Sequence, residues 1–268
     1  MYNRTVSVVM CTCNGGKYLT EQLDSILEQT YAASEILVQD DCSTDDTRNI
    51  LSRYATLYPQ IRVIYNQTRR GINANFYSAM RQSKGDFIAL SDQDDIWLPD
   101  KLERQMEAIG DCLLLLCGGL ESHFSTTGVS CVSDLRPRNC SLLRAIFCAC
   151  VGGHTMLFPR RLLDKIPNTP FVQRKTYDVI LTITAAVHDS LVFLNEELVR
   201  QRRHAEAATY TPPVDNSKNL CNVVHTTLQS IRLYSELREE LMRQAALVRD
   251  FLRNYPPPNH LCLPMRLN

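Results

Sequence analysis

The chain has 268 residues, 44% of them apolar, which suits a large α/β domain with an appendage and excludes a disordered protein. Lys plus Arg and Asp plus Glu both number 29, so there is no overall basic field for nucleic acid and any attraction to phosphate must be local. Eleven cysteines in a chain that opens Met1-Tyr2-Asn3-Arg4-Thr5, without an apolar signal core, read as reduced cytosolic thiols.

Strand and helix signals alternate through the first hundred residues, the order of a parallel sheet covered by helices. Residues 5–11 are β-branched and apolar, and Leu19, Leu23, Ile26 and Leu27 then recur at helical spacing. Residues 35–39 read as a second strand. Ser43-Thr44 is a cap signal for a helix with Ile50, Tyr54, Leu57 and Tyr58 on one face. Residues 61–65 give a third strand, the segment around 76–81 a helix and 87–90 a fourth strand, after which Pro99 opens another helix. The apolar run Leu113-Leu114-Leu115-Leu116-Cys117 is far short of the ~20 residues of a membrane span. Residues 122–150, rich in Ser, Thr and Cys, read as irregular or hairpin structure. Order returns at 155–158, in a helix over 177–188 and in short strands at 191–194 and 198–202. Thr211-Pro212-Pro213 is a linker, and beyond it Leu220, Val224, Leu228, Ile231 and Leu241 mark a long amphipathic helix.

In a parallel sheet the carboxyl ends of the strands share one edge, so polar clusters distant in sequence meet at one ligand. The first strand runs into Thr12-Cys13-Asn14-Gly15-Gly16, the second into Asp40-Asp41-Cys42-Ser43-Thr44-Asp45, and the fourth into Asp92-Gln93-Asp94-Asp95. A buried strand cannot hold three carboxylates in its interior, so they lie at its end, where a cation can neutralise them. Hard oxygen ligands favour Mg²⁺ or Mn²⁺ completed by water and substrate phosphate. Arg69-Arg70-Gly71, after the third strand, adds guanidinium groups suited to phosphate oxygens. Of Asp40-Asp41, one carboxylate can accept from a uracil or thymine N–H and from ribose while the other supports the turn. Taken singly, Asn14-Gly15-Gly16 is a turn, Ser43-Thr44-Asp45 a cap and Asp178 a helix N-terminal acid. Their convergence points to a metal-assisted diphosphate site.

The segments Val6-Ser7-Val8-Val9-Met10-Cys11-Thr12-Cys13-Asn14-Gly15, Asp40-Asp41-Cys42-Ser43-Thr44-Asp45-Asp46-Thr47 and Ser91-Asp92-Gln93-Asp94-Asp95-Ile96-Trp97 resemble, in order and spacing, the family 2 glycosyltransferases. The resemblance covers residues 5–204. It implies the GT-A fold, an α/β architecture with a mixed, mainly parallel sheet flanked by helices, and inversion at the anomeric carbon. It also implies a catalytic domain over 1–204, with a nucleotide-binding half at 1–117 and an acceptor-side half at 118–204. Residues 205–268 are then a linker and C-terminal helical extension.

By the same resemblance Thr12, Asn14 and Asp41 hold the nucleoside, while Asp92 and Asp94 form the D-x-D metal motif, with Asp92 also touching the nucleotide sugar and Asp95 a third acid. Val151-Gly152-Gly153-His154-Thr155-Met156-Leu157-Phe158 looks like the acceptor-side loop and strand, with His154 a structural or acceptor-loop residue. Asp178 takes the place of the base that deprotonates the acceptor hydroxyl. Arg202-Arg203-His204 looks like the basic segment that closes over the diphosphate. Arg70 and His204 face that group from opposite sides, and His204 is a ligand for metal or phosphate. Cys13, Cys42, Gln201 and Ala207 depart from the family pattern.

The D-Q-D-D-I-W form is similar to bacterial rhamnosyltransferase-like members, and the Q-x-x-R-W signature of processive synthases is absent. The expectation is a cytoplasmic glycosyltransferase, peripheral at most to the inner face of the membrane. It uses Mn²⁺ or Mg²⁺ to move a sugar from dTDP-rhamnose or a UDP-sugar to a glycan or lipid-linked glycan acceptor of a bacterial surface polysaccharide. Its C-terminal helix could dock on a membrane or a second subunit of a homodimer. The rival readings are a non-catalytic sugar-nucleotide-binding or assembly protein, and a sugar nucleotidyltransferase, which would need a Gly-rich basic loop near the first strand.

Overall fold

Strand β1, Val6–Thr12, is buried along nearly its whole length because both faces of the sheet are covered, which is why it reads as a continuous apolar run. The computed structural model describes residues 4–110, 116–125, 151–166, 168, 172–173, 175–207, 249 and 253. The chain divides into two units, one of Met1–Ile166 with Lys175–Arg203 and another of Pro167–Arg174 with His204–Asn268. In the first, α1 (Leu19–Leu27), β2 (Glu35–Asp40), α2 (Thr47–Leu57), β3 (Ile61–Tyr65), α3 (Ile72–Gln82) and β4 (Phe87–Ser91) alternate as expected. They are followed by β5 (Ile96–Trp97), α4 (Lys101–Ile109), β6 (Leu116–Ser125), β7 (Leu157–Pro159), α5 (Tyr177–Val187) and β8 (Leu191–Arg203). In the second, the Ala207 N–H donates to the His204 carbonyl at 3.1 Å.

The eight strands form one sheet in the order β3-β2-β1-β4-β7-β6-β8-β5. β1 pairs in parallel with both β2 and β4, so the direction of winding reverses at β1 and a crevice opens beyond its carboxyl end. β7 runs antiparallel to β4, with Ala89 opposite Leu157, and this carries the chain just before β7 to that same edge. β5 is only two residues long but pairs with β8, Ile96 opposite Arg200 and Trp97 opposite Val199.

Four local expectations change. The α2 cap position is Asp46 rather than Ser43 or Thr44, because those two side chains are used in the turn before the helix. Leu57, expected on the apolar face of α2, is 64% exposed at the helix end. Pro99 precedes α4 by two residues, and its carbonyl accepts from the Thr30 N–H instead. The two strands expected at 191–194 and 198–202 are one strand, β8, and residues 118–125 extend β6 beside it, with register shifts at Gly119/Leu120 and Leu120/Glu121 absorbing the irregularity. The Thr211-Pro212-Pro213 linker, the residues Leu220 to Leu241 that mark the amphipathic helix, and residues 126–150 lie outside the described residues. Among the described residues no helix is long and apolar enough to cross a membrane.

Buried polar groups tie the sheet to its helices. Gln22 and Ser25 on α1 share a buried face, and Gln29 lies buried just beyond the helix end. Gln22 Nε2 donates to Ser91 Oγ (2.7 Å), the Trp97 N–H donates to Ser25 Oγ (3.1 Å), and Gln29 Nε2 donates to the Leu98 carbonyl (2.7 Å). Helix α4 contributes Lys101, fully buried, whose Nζ lies 3.9 Å from the Trp97 ring centre and donates to Gln105 Oε1 at 3.0 Å. Gln105 Nε2 in turn donates to the carbonyls of Cys117 and Thr155 (3.0 and 2.7 Å), holding the chain next to His154.

Burial lowers the Lys101 ammonium from 10.5 to about 7, with the nearby Cys117 thiol pulling weakly the other way. The unfolded chain therefore binds a proton that the folded chain lacks between those values, and folding strengthens as pH rises across that window. We expect stability from urea unfolding to rise there by up to about 1.4 kcal/mol per pH unit from this group. In Lys101→Met that part of the slope disappears, whatever the variant's absolute stability.

Candidate active site

The first strand ends in a turn built almost wholly from reciprocal hydrogen bonds with the second. Asn14 adopts φ 53°, a left-handed conformation that Asn tolerates, and its N–H donates to Ser43 Oγ (2.8 Å) while its Oδ1 accepts from the Thr44 N–H (2.8 Å). The Gly15 N–H donates to Thr47 Oγ1 and the Gly16 N–H to Asp45 Oδ2, both at 2.9 Å. Cys42 has φ 61°, the region glycine enters without steric cost.

Asp40 is buried and accepts from Thr12 Oγ1 (3.2 Å), from the Ser43 N–H (3.2 Å) and hydroxyl, and from Arg48 Nε (3.0 Å). It supports the turn. Asp41, also buried, accepts from the Arg70 N–H (2.7 Å), the Gly71 N–H (2.8 Å) and Asn66 Nδ2 (2.8 Å). Burial raises the Asp41 carboxyl, but those three donors together with the Arg69 charge outweigh it and leave it below its ordinary value. Asp41 thus clamps the loop from β3 into the start of α3. Arg70 gives its N–H to that clamp, and its exposed guanidinium donates to Ser78 Oγ at 3.0 Å.

The acidic loop after β4 is held from several sides. Gln93 lies against the Cys13 peptide in both directions: the Cys13 N–H donates to Oε1 (2.9 Å) and Nε2 donates to the Cys13 carbonyl (3.3 Å). A Cβ on Gly15 would come within 2.3 Å of that Oε1, so glycine is needed there for the side chain to pass. Arg202 Nε donates to the Asp94 carbonyl (3.0 Å), and the Arg202 N–H donates to Asp95 Oδ1 (3.2 Å). Asp95 Oδ2 is buried with no hydrogen-bond partner among the described residues. Burial pushes the Asp95 carboxyl well up, His154 opposes this, and the Asp92 and Asp94 charges add to it.

Donor atoms of Asp92, Asp95 and His154 lie within 4.8 Å of one another, with His154 Nδ1 3.6 Å from Asp92 Oδ2. This is an oxygen, oxygen, nitrogen set of the kind Mn²⁺ or Mg²⁺ accepts, and the unsatisfied buried oxygen is what a cation would relieve. Of the set expected from sequence, Asp92 belongs to this group. Asp94 lies beside it in the same loop, and His204 belongs to the second unit.

Asp178 sits half-buried in the first turn of α5, where a carboxylate is favoured by the helix dipole. The entry to α5 is fixed from α3. Asn73 Oδ1 accepts from the Tyr177 N–H (3.1 Å), Asn73 Nδ2 donates to the Lys175 carbonyl (3.2 Å), and Phe76 stacks on the Tyr177 ring with centroids 4.1 Å apart. Gly153 admits the Tyr177 hydroxyl, since a Cβ there would lie 2.4 Å from it. Burial, then the Asp92 and Asp178 charges, hold the Tyr177 hydroxyl well above its ordinary value, and burial and Asp178 push that of Tyr77 up to about 12.

Sequence reasoning placed Asn66 and Gln93 in the strand-end polar clusters without a role, missed Asn73, and read His154 as a structural or acceptor-loop residue. Nothing in the spacing of Gly152-Gly153-His154 announces a carboxylate partner. Only the antiparallel β4–β7 register brings residue 154, three before Leu157, past the end of β4.

Residues 7–166 match the family described as glycosyl transferase family 2. Among curated relatives, the chain is 38% identical over 110 residues to the dTDP-rhamnosyl transferase RfbG of Shigella flexneri, covering 39% of this chain and 37% of that protein. It is 28% identical over 179 residues to the UDP-Glc:alpha-D-GlcNAc-diphosphoundecaprenol beta-1,3-glucosyltransferase WfgD of Escherichia coli, covering 66% and 69%. The mannosyltransferase PcManGT of Pyrobaculum calidifontis, solved with GDP-Man and Mn²⁺, superposes with a TM-score of 0.58 at 21% identity over 78% of this chain and 59% of that one. Several curated relatives are matched over only 30–40% of their own length. The fold is GT-A. With its family matched over more than half its length, the chain belongs to glycosyl transferase family 2.

Proposed function

We propose that the protein transfers a single sugar from a nucleotide diphosphate donor to a glycan acceptor with inversion at the anomeric carbon. The observation that carries this reading is the meeting, at one sheet edge, of the Asp41 clamp, the Asp92, Asp95 and His154 group and the Asp178 helix. In this reading Thr12, Asn14 and Asp41 frame the nucleoside. Asp92, Asp95 and His154 hold Mn²⁺ or Mg²⁺, with Asp94 beside them. A divalent ion bound there supplies positive charge against the charge that develops on the departing diphosphate.

Asp178 takes the proton from the acceptor hydroxyl as that oxygen attacks, and Arg70 faces the diphosphate. The donor is dTDP-rhamnose or a UDP-sugar, choices supported by the activities in the names of RfbG and WfgD. A lipid-linked acceptor, met at the cytoplasmic face of the membrane, is supported by the diphosphoundecaprenol acceptor in the second name. The catalytic domain is taken to span 1–204, with 205–268 an extension for a membrane surface or second subunit. A thermal-shift and product screen over nucleotide sugars with Mn²⁺ tests the reading. One donor should raise the melting temperature and yield product, whereas a panel with neither would overturn it.

Three measurements probe the roles. Asp178→Asn should retain nucleotide and metal affinity but lose roughly 10²–10⁴-fold in transfer rate, since the amide keeps the shape and cannot act as base. Near-normal transfer by the folded variant moves the base elsewhere. Mn²⁺ titration of Asp95→Asn and Asp94→Asn should separate the two acids, with the greater loss at Asp95, the residue inside the three-donor group; equal or reversed losses argue for the D-x-D pair alone. The Gln93 clasp gives a third test. Gly15→Ala should weaken donor binding about as much as Gln93→Ala, and the double variant should bind no worse than either, because the clash and the clasp involve the same side chain. Additive losses would mean that the two residues act separately.

A further inference from the structure

Arg202 belongs to the basic segment expected to close over the diphosphate, yet its guanidinium is turned into the protein. Its side chain is 9% exposed. The guanidinium carbon lies 4.5 Å from the ring centres of both Tyr18 and Phe124, and Nη2 pairs with Glu21 in the first turn of α1. Nε donates to the Asp94 carbonyl and the backbone N–H to Asp95 Oδ1. The β5–β8 ladder sets this up, because continuing the Ile96–Arg200 register by two residues brings position 202 opposite position 94.

These contacts fix both the peptide after Asp94 and one oxygen of Asp95, leaving Oδ2 as the oxygen without a hydrogen bond. Repulsion between the Asp92 and Asp94 carboxylates would otherwise spread the loop apart. We propose that Arg202 is a positioning residue for the 92–95 loop, setting the Asp95 carboxylate for a divalent cation instead of contacting the diphosphate. The proposal rests on the metal reading given above. Lysine does not replace Arg here, since it lacks the planar fork that reaches a carbonyl and a carboxylate while lying over aromatic rings.

The test uses the full chain with Arg202→Met and Arg202→Lys. Hydrogen exchange of peptides covering 91–97 is measured without metal, and Mn²⁺ affinity is measured with and without a nucleoside diphosphate. Both variants should lose protection in 91–97 while β1 to β3 stay protected, and Mn²⁺ should bind roughly 10–100-fold more weakly, the usual effect of removing a group that orients a ligand. Unchanged exchange in 91–97, or unchanged Mn²⁺ affinity in a folded variant, overturns the proposal. Wild-type protein that binds no Mn²⁺ in either condition overturns the metal reading itself, and the exchange arm still decides whether Arg202 orders the loop. Should Arg202→Met fail to fold, Phe124→Leu, which removes one ring contact, should shift both readouts in the same direction by less. No shift in either counts against the proposal.

Discussion

The crowding of carboxylates along one sheet edge is the constraint around which this molecule is arranged. A strand end is the only place where a buried parallel sheet can put them, and each must then be satisfied or balanced. The two clusters are treated differently. Asp40, Asp41 and Asp45, after β2, take backbone N–H groups, hydroxyls, an amide and one guanidinium from the turns around them. Their charge is balanced by the protein. After β4, Asp95 keeps a buried oxygen without a hydrogen bond, beside Asp92 and His154. The first arrangement builds a rigid rim, and the second leaves a deficit of positive charge at one point.

Holding that deficit in place falls to residues whose work is invisible in their own chemistry. The 92–95 loop would be drawn apart by its own charges, and it is anchored at each end to α1, through Gln22 to Ser91 and through Ser25 to Trp97. Between those anchors Gln93 ties it to the β1 turn and Arg202 ties it to β8. His154 is supported at one remove by Lys101, through Gln105 and Thr155. A fully buried lysine is costly to keep charged, and the Trp97 ring and Gln105 Oε1 are the contacts it makes in place of water.

This division explains what could be read in the amino-acid sequence. The four parallel strands and the helices between them were legible because apolar periodicity is local. The acids at the ends of β2 and β4 were legible because carboxylates cannot continue a buried strand. β5 was hidden because two residues carry no period, and the extent of β6 and β8 because their pairing is irregular. The buried Gln22 and Ser25 on α1, and Gln29 just beyond it, were hidden behind the apolar stripe of Leu19, Leu23 and Ile26 that defines the same helix. Asp95 was read as a third acid, but grouping it with His154 required a register between strands about seventy residues apart. Arg202 was read from its position in a basic segment, whereas its direction is set by the β5–β8 ladder.

The same reasoning links the two sides of the site. Helix α3 begins at the loop whose N–H groups at Arg70 and Gly71 bind Asp41; its first turn offers Asn73 to the chain entering α5, and the next turn offers Phe76 to the ring of Tyr177. Asp41 and Asp178, more than a hundred residues apart, are therefore fastened to the two ends of one short rigid contact. Tyr177 also packs against Gly153, next to His154, so the helix that presents Asp178 is braced against the loop that supplies His154. A displacement of α3 would carry the loop that Asp41 holds and the entry to the Asp178 helix together. The polar residues of α3 follow from this: Asn73 holds the entry to α5 and the buried Asn75 bonds Asn66 and the Gln39 carbonyl, while Phe76, Ala79 and Met80 form the apolar part of the same helix.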